Sequence, residues 1–225
     1  MSSQIGLYKI VLLGESGVGK TSIISQFVDQ EFQEDLQIST GSTYSSKTLL
    51  AGNDKLLKFE IWDTAGQERY RSLTKLFYKD SNAAILVYDI TREDSFEQLQ
   101  EYWVTQIKES APKNIIIAIC GNKSDLINNE KVDEGKAREY AKEVGAIFGL
   151  TSAKSSFGIN DLFIQIAKKL TGEENITIKN DDEGGMDIEE QKNENSKRKG
   201  TVMLNKENKN ENNGNNKNAK QKKCC

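Results

Sequence analysis

Residues 14–21 read Gly14-Glu15-Ser16-Gly17-Val18-Gly19-Lys20-Thr21 and match the pattern G-x-x-x-x-G-K-[ST]. Its glycines let the backbone curl so that successive N–H groups point inward at phosphate oxygens. A helix starting at its end adds a partial positive charge. Lys20 can reach the outer phosphates, and Thr21 can offer a hydroxyl to Mg²⁺. A second group is Asp63-Thr64-Ala65-Gly66-Gln67. Beside a phosphate loop, Asp63 can hold Mg²⁺ through water and Gly66 can give a backbone N–H to a terminal phosphate. Gln67 can orient an attacking water without being ionisable. A third group is Asn122-Lys123-Ser124-Asp125. The Asp125 carboxylate can accept from the N1–H and exocyclic N2–H₂ of guanine. Adenine has neither donor there and would leave the carboxylate desolvated and unpaired. Asn122 can tie this loop to its neighbours, and the Lys123 stem can cover one face of a base. The fourth group, Thr151-Ser152-Ala153-Lys154, can offer the Ala153 N–H to guanine O6. Taken singly, the last three are ordinary polar turns. An ATP-using kinase or ATPase would share the first motif, and Asp125 argues against it.

The elements around these groups place each one just after a strand. Residues 7–13 form a short apolar run entering the glycines, and residues 21–29 read as a helix with Ile23, Ile24 and Phe27 on one face. Residues 46–50 and 56–62 read as strands of a hairpin turning at Ala51-Gly52-Asn53-Asp54. Residues 83–88 and 115–120 are apolar enough for central strands covered on both faces. Residues 94–110 carry Phe96, Leu99, Trp103 and Ile107 at helical spacing. Residues 133–144 read as a polar amphipathic helix, 146–150 as a last strand and 160–170 as a last helix. Such alternation predicts an α/β fold with a mostly parallel sheet between helices. Ligands of such sheets sit at the carboxyl ends of the strands.

Composition narrows the chemistry further. The chain has no histidine, which excludes His-based zinc sites and Ser-His or Cys-His catalysis. Its 3 cysteines cannot make a disulfide framework, and a reducing compartment is the natural reading. A net charge of −3 gives no reason to expect nucleic acid as a partner. The first residues lack the pattern of a signal peptide, and Ser2 stands where N-myristoylation needs glycine. Composition shifts near residue 171, and the sequence beyond has too few large apolar side chains to offset ordering entropy. Residues 171–195 carry 2 basic and 9 acidic residues, whereas 196–225 carry 9 basic and 2 acidic, so the basic half adjoins the terminus. Cys120 lies in an apolar strand and reads as inert core.

The four groups, in this order, resemble the Ras-like small GTPases, and within them the Rab branch. Trp62-Asp63-Thr64-Ala65-Gly66-Gln67-Glu68-Arg69-Tyr70 and Val87-Tyr88-Asp89-Ile90-Thr91 carry the Rab-like wording. Residues 113–126 and 157–170 are nearest the early-endosomal Rabs. The resemblance covers residues 7–170. It implies a P-loop NTPase fold: a mostly parallel six-stranded sheet with helices on both faces. Residues 1–6 would be a flexible lead and 171–225 a disordered hypervariable tail. It also implies GTP/GDP and Mg²⁺ as ligands. Nucleotide contacts would come from Glu15, Ser16, Gly17, Val18, Gly19, Lys20, Thr21 and Ser22. Further contacts would come from Phe32 over the guanine face, Gly66, Asn122, Lys123, Asp125, Ser152, Ala153 and Lys154. Thr21, Ser39 and Asp63 would serve the metal, and Lys20 and Gln67 hydrolysis.

The resemblance implies a vesicle-traffic switch on the cytosolic face of an endomembrane, cycling with the cytosol. The terminal Cys224 and Cys225 would carry geranylgeranyl groups, since two lipid chains make anchoring stable where one is marginal. Nearby lysines would add attraction to an anionic leaflet. Expected partners are an exchange factor, a GTPase-activating protein, a GDP dissociation inhibitor or escort protein, and effectors, around a monomer. The sequence departs from the family at Ser39-Thr40-Gly41-Ser42-Thr43-Tyr44. Ungapped counting makes Ser39 the hydroxyl ligand, and a one-residue slip makes it Thr40. The polar residues here leave a second reading open: a GTP-binding scaffold with impaired switching. Tyr44, Trp62 and Phe77 can still form the aromatic cluster that Rabs present to effectors. No arginine is placed to act in cis, so hydrolysis would be slow without a partner's arginine finger.

Overall fold

Ile10 and Leu12 point to one face of the first strand and Val11 and Leu13 to the other, and all four are fully buried. A strand apolar on both faces needs cover on both sides, and the computed structural model shows that cover. It describes residues 5–34, 43–52, 55–64 and 76–179. The strands are β1 (Ile5–Leu13), β2 (Thr43–Ala51), β3 (Lys55–Asp63), β4 (Ala83–Asp89), β5 (Ile116–Asn122), β6 (Ile147–Leu150) and β7 (Ile176–Ile178). The helices are α1 (Lys20–Val28), α2 (residues 93–110), α3 (Glu134–Glu143) and α4 (Ile159–Thr171). One sheet runs in the order β6-β5-β4-β1-β3-β2-β7. Five strands are mutually parallel, and β2 is antiparallel to β3 and β7.

Each face of the sheet has its own core. Ile10, Leu12, Phe59 and Ile85 pack under α1 and α4, where Phe27 stacks on Phe163 with ring centroids 3.7 Å apart. Val11, Leu13, Leu86 and Tyr88 pack under α2 and α3, against Phe96, Leu99, Trp103 and Ala137. Every residue of β4 is buried, as a central strand requires. Truncating an aromatic such as Phe163 in such a core costs roughly 3–5 kcal/mol. Helix α2 is one helix with a π turn inside it: Glu93–Gln98, then Leu99–Trp103, then Val104–Ser110. Helix α3 begins at Asp133, whose carboxylate accepts from the Lys136 N–H at 2.8 Å. Such a cap contributes about 1 kcal/mol.

Parallel registry lines up the strand ends. Leu13 pairs with Leu86, Asp89 with Asn122, and Gly121 with Leu150. The loops after β1, β3, β5 and β6, which carry the four motifs, therefore open at one edge of the sheet.

The sheet has seven strands where six are expected. The extra strand falls beyond the expected boundary at residue 171. Gly172 adopts a left-handed conformation (φ 72°) that ends α4 and turns the chain back. Lys55 pairs with Glu173 at 2.7 Å, and the Gly52 N–H donates to the Asn175 carbonyl at 2.8 Å. Ile176, Thr177 and Ile178 then pair antiparallel with Ala51, Leu50 and Leu49. Three consecutive β-branched residues suit a strand, and averaging over a long polar segment hides them. Residues 1–4, 35–42, 53–54, 65–75 and 180–225 lie outside the described residues. No helix among the described residues is long and apolar enough to cross a membrane.

Cys120 sits inside β5, fully buried, with its Sγ 3.1 Å from the Thr151 hydroxyl. Burial pushes its thiol up to about 12. An unfolded cysteine ionises near 8.5, so the unfolded chain loses its proton first. Stability from this site is complete below about pH 8.5 and falls as pH rises toward the folded value. With Cys224 and Cys225 changed to serine, the remaining thiol should react with Ellman's reagent at pH 8 at least a hundred times (~10²) more slowly when native than in guanidinium. Equal rates would show that the strand is not closed over it.

Candidate functional site

The loop after β1 is shaped by contacts on its outer side. A Cβ at Gly14 would collide with the Val87 carbonyl, and one at Gly19 with the Asn122 amide nitrogen, so neither position accepts a side chain. Gly19 (φ 96°) leads directly into α1. The Val18 side chain is fully buried beneath the loop. Ser16, Gly17, Gly19, Lys20, Thr21 and Ser22 line a cavity of about 370 Å³. The Lys20 Nζ donates to the Gly14 and Glu15 carbonyls, both at 2.9 Å. Burial pushes this ammonium down to about 8, against the pull of the Asp63 and Glu15 carboxylates. A buried cation held on two loop carbonyls is placed to receive an anion.

At the end of β3, the Asp63 carboxylate accepts from the Thr21 hydroxyl at 2.6 Å. The Thr64 hydroxyl donates to the Leu12 carbonyl at 2.6 Å and pins the start of the next segment to β1. A hydroxyl oxygen and a carboxylate oxygen are hard donors. They suit Mg²⁺, which takes few protein ligands and keeps water and phosphate for the rest. The donor set therefore fits that ion.

The other end of the cavity is built from the loops after β5 and β6. The Asn122 Nδ2 donates to the Val18 carbonyl at 2.9 Å. Its Oδ1 accepts from the Thr151 hydroxyl at 3.2 Å, with a longer contact of 3.4 Å from the Ala153 N–H. Lys123 takes a left-handed conformation (φ 67°) and pairs with the buried Asp89 at 2.7 Å. Asp89 also accepts from the Thr91 N–H and hydroxyl, at 2.9 and 2.7 Å. The Asp125 carboxylate accepts from the Ser152 hydroxyl at 2.6 Å, which fixes its orientation along the cavity wall. Ala153, Lys154 and Phe32 complete this end. Lys154 pairs with Glu34 at 2.7 Å and holds that carboxyl below the usual range. The pair ties the segment carrying Phe32 to the loop after β6.

The structure thus brings Ser16, Gly17, Gly19, Lys20, Thr21, Ser22, Phe32, Asn122, Lys123, Asp125, Ala153 and Lys154 around one cavity. Asp63 joins them through Thr21, and Ser152 through Asp125. Glu15 sends its side chain outward to accept from the Trp103 indole N–H at 3.3 Å. Ser39, Thr40, Gly66, Gln67, Cys224 and Cys225 lie outside the described residues. The expected aromatic cluster forms, with ring centroids 5.5 Å apart for Tyr44–Trp62 and 5.8 Å for Trp62–Phe77. Asp89, Glu34 and Arg92 were missed in the sequence. Each is an ordinary charged residue that also has a partner at least 34 positions away: Lys123 for Asp89, Lys154 for Glu34 and Ser16 for Arg92.

Comparison with known proteins agrees with this geometry. Residues 9–172 match the model of the Ras family. The chain is similar to the human Ras-related protein Rab-22A, with 46% identity over 72% of this chain and 82% of that protein. It is equally similar to Ras-related protein Rab-5A of Dictyostelium discoideum, 46% identical over 75% of this chain and 83% of that protein. Ras-related protein Rab-31 of the mouse is also 46% identical, over 72% and 82%.

Asn122→Ala would remove one donor and two acceptances from a buried junction. Denaturant titration should find the variant roughly 2–4 kcal/mol less stable. A loss below about 1 kcal/mol would mean that the loops hold their places without this amide.

Proposed function

Because the chain belongs to the Ras family, as a GTPase of the Rab type, we propose that it is a prenylated GTP/GDP switch acting in vesicle traffic. The observation that carries this reading is the Asn122 junction. It joins the phosphate-type loop and the guanine-type loops around a single cavity. One end of that cavity offers backbone N–H groups and the Lys20 ammonium. The other offers the oriented Asp125 carboxylate, whose acceptors match the donor edge of guanine and not adenine. Once a bound base covers that exposed carboxylate, adenine would leave it desolvated and unpaired, a discrimination that reaches about a thousandfold.

Mg²⁺ bound at Thr21 and Asp63 would neutralise charge on the phosphates. Lys20 stabilises charge on the transferring phosphate, and Gln67 orients the water. The Lys123 stem and Phe32 flank the base. Ser39 and Gly66 hold the terminal phosphate end in the GTP state and let go after hydrolysis, so that partners read the difference. Intrinsic turnover is slow, and a GTPase-activating partner supplies the missing arginine. Exchange factor, GDP dissociation inhibitor or escort protein, and effectors complete the cycle. Cys224 and Cys225 anchor the protein to the cytosolic face of an endomembrane of early-endosomal character. The contact chain of Tyr44, Trp62 and Phe77 supports effector recruitment.

GTP and ATP competition for the purified chain, with single-turnover hydrolysis in Mg²⁺, tests this. The wild type should retain GTP against a large excess of ATP and hydrolyse it slowly. Gln67→Leu should keep GTP binding and lose most partner-stimulated turnover. Equal competition by ATP would sink the guanine reading. Tight GTP binding with no turnover, even with a GTPase-activating protein, would instead favour the scaffold reading. Ser39→Ala should weaken Mg²⁺-dependent binding more than Thr40→Ala if the ungapped register holds.

A further inference from the structure

Arg92 immediately precedes α2, and its guanidinium reaches the loop after β1. Its Nη1 donates to the Ser16 carbonyl at 2.9 Å. The opposite edge of the fork is gripped by Asp94, which accepts from Nη2 at 2.6 Å and from Nε at 3.3 Å. The backbone beneath is equally constrained. The Arg92 N–H donates to the Asp89 carbonyl at 3.0 Å, and the Ser95 hydroxyl donates to the Arg92 carbonyl at 2.7 Å. A planar guanidinium with one edge on a carboxylate offers its remaining corner in a fixed direction.

That direction matters because of the peptide it meets. In a planar trans peptide, the carbonyl and the following N–H point opposite ways. The Ser16 carbonyl is drawn outward to Arg92, so the Gly17 N–H is turned the other way, toward the cavity that Gly17 lines. A donor on the carbonyl also polarises the peptide and strengthens its N–H as a donor. The neighbouring residue is held from the same helix, through the Trp103 indole and Glu15 at 3.3 Å. Asn122 likewise takes the carbonyl of the next peptide but one, that of Val18.

We propose that Arg92 is a positioning residue for phosphate binding: from outside the cavity it fixes the Ser16–Gly17 peptide so that the Gly17 N–H faces the bound phosphates. This rests on the nucleotide reading above. The role needs no contact with nucleotide and leaves Gln67 and Lys20 as the residues of hydrolysis. It predicts that the wild-type chain retains a phosphate-bearing nucleotide more tightly than a chain without this donor.

Release of mant-GDP from the full-length, Mg²⁺-loaded chain reads this directly. Arg92→Ala should release it about tenfold faster, the scale of one hydrogen bond to a charged group. Arg92→Lys keeps a cationic donor and should stay within about threefold of the wild type. A release rate for Arg92→Ala within threefold (~3×) of the wild type overturns the role. Release from Arg92→Lys as fast as from Arg92→Ala overturns it too, since a mere packing loss is not rescued by a donor. A wild-type chain that retains no mant-GDP would instead overturn the nucleotide reading itself.

Discussion

One buried amide, that of Asn122, ties the loop after β1 to the loops after β5 and β6, which also share a backbone bond from the Ser124 N–H to the Thr151 carbonyl at 3.0 Å. Its nitrogen fixes the Val18 carbonyl, and its oxygen collects the Thr151 hydroxyl. In a low-dielectric setting each of these bonds is strong when made and costly when missing. The amide also explains why Gly19 must be glycine, because Nδ2 occupies the space a Cβ would need. A side chain at the end of β5 thus sets the entry to α1, more than a hundred residues earlier in the chain. The distance between the two ends of the cavity is fixed before any ligand arrives, and preorganisation of that kind lowers the cost of binding.

The same division of labour recurs around the loop. The Val18 and Ser16 carbonyls are taken up by Asn122 at the end of β5 and by Arg92 just before α2, while Lys20 occupies those of Gly14 and Glu15. The π turn in α2 belongs to this scheme. Leu99–Trp103 carries a fully packed indole whose polar edge reaches Glu15. A π turn inserts one extra residue per turn and re-aims the side chains around it, which is why such turns cluster near functional sites.

Most of the frame was legible because it obeys simple periodicities. Strands β1, β4 and β5 are apolar runs that end in glycine or polar residues, and α2 and α4 carry apolar residues at helical spacing. The motif residues could be read because their chemistry depends on type and local spacing. What could not be read depends on partners distant in sequence. The expected helix over 94–110 is present, but nothing in its spacing marks the π turn. Arg92 and Glu34 look like surface charges until the fold brings Ser16 and Lys154 to them. Strand β7 was hidden by its polar surroundings, since three β-branched residues carry little weight without a vacant edge to join.

That added strand bears on how the borders of the sheet meet other chains. An open sheet ends in strands whose unpaired N–H and C=O groups invite another chain to add on. Here one border is β6, only four residues long. At the other, β7 covers Leu49, Leu50 and Ala51, leaving only the first six residues of β2 uncovered by it. Within that stretch Lys47 turns inward, buried, with its Nζ donating to the Val28 carbonyl at 3.2 Å. A buried lysine beside a short, partly covered margin makes a poor template for an added strand from another chain.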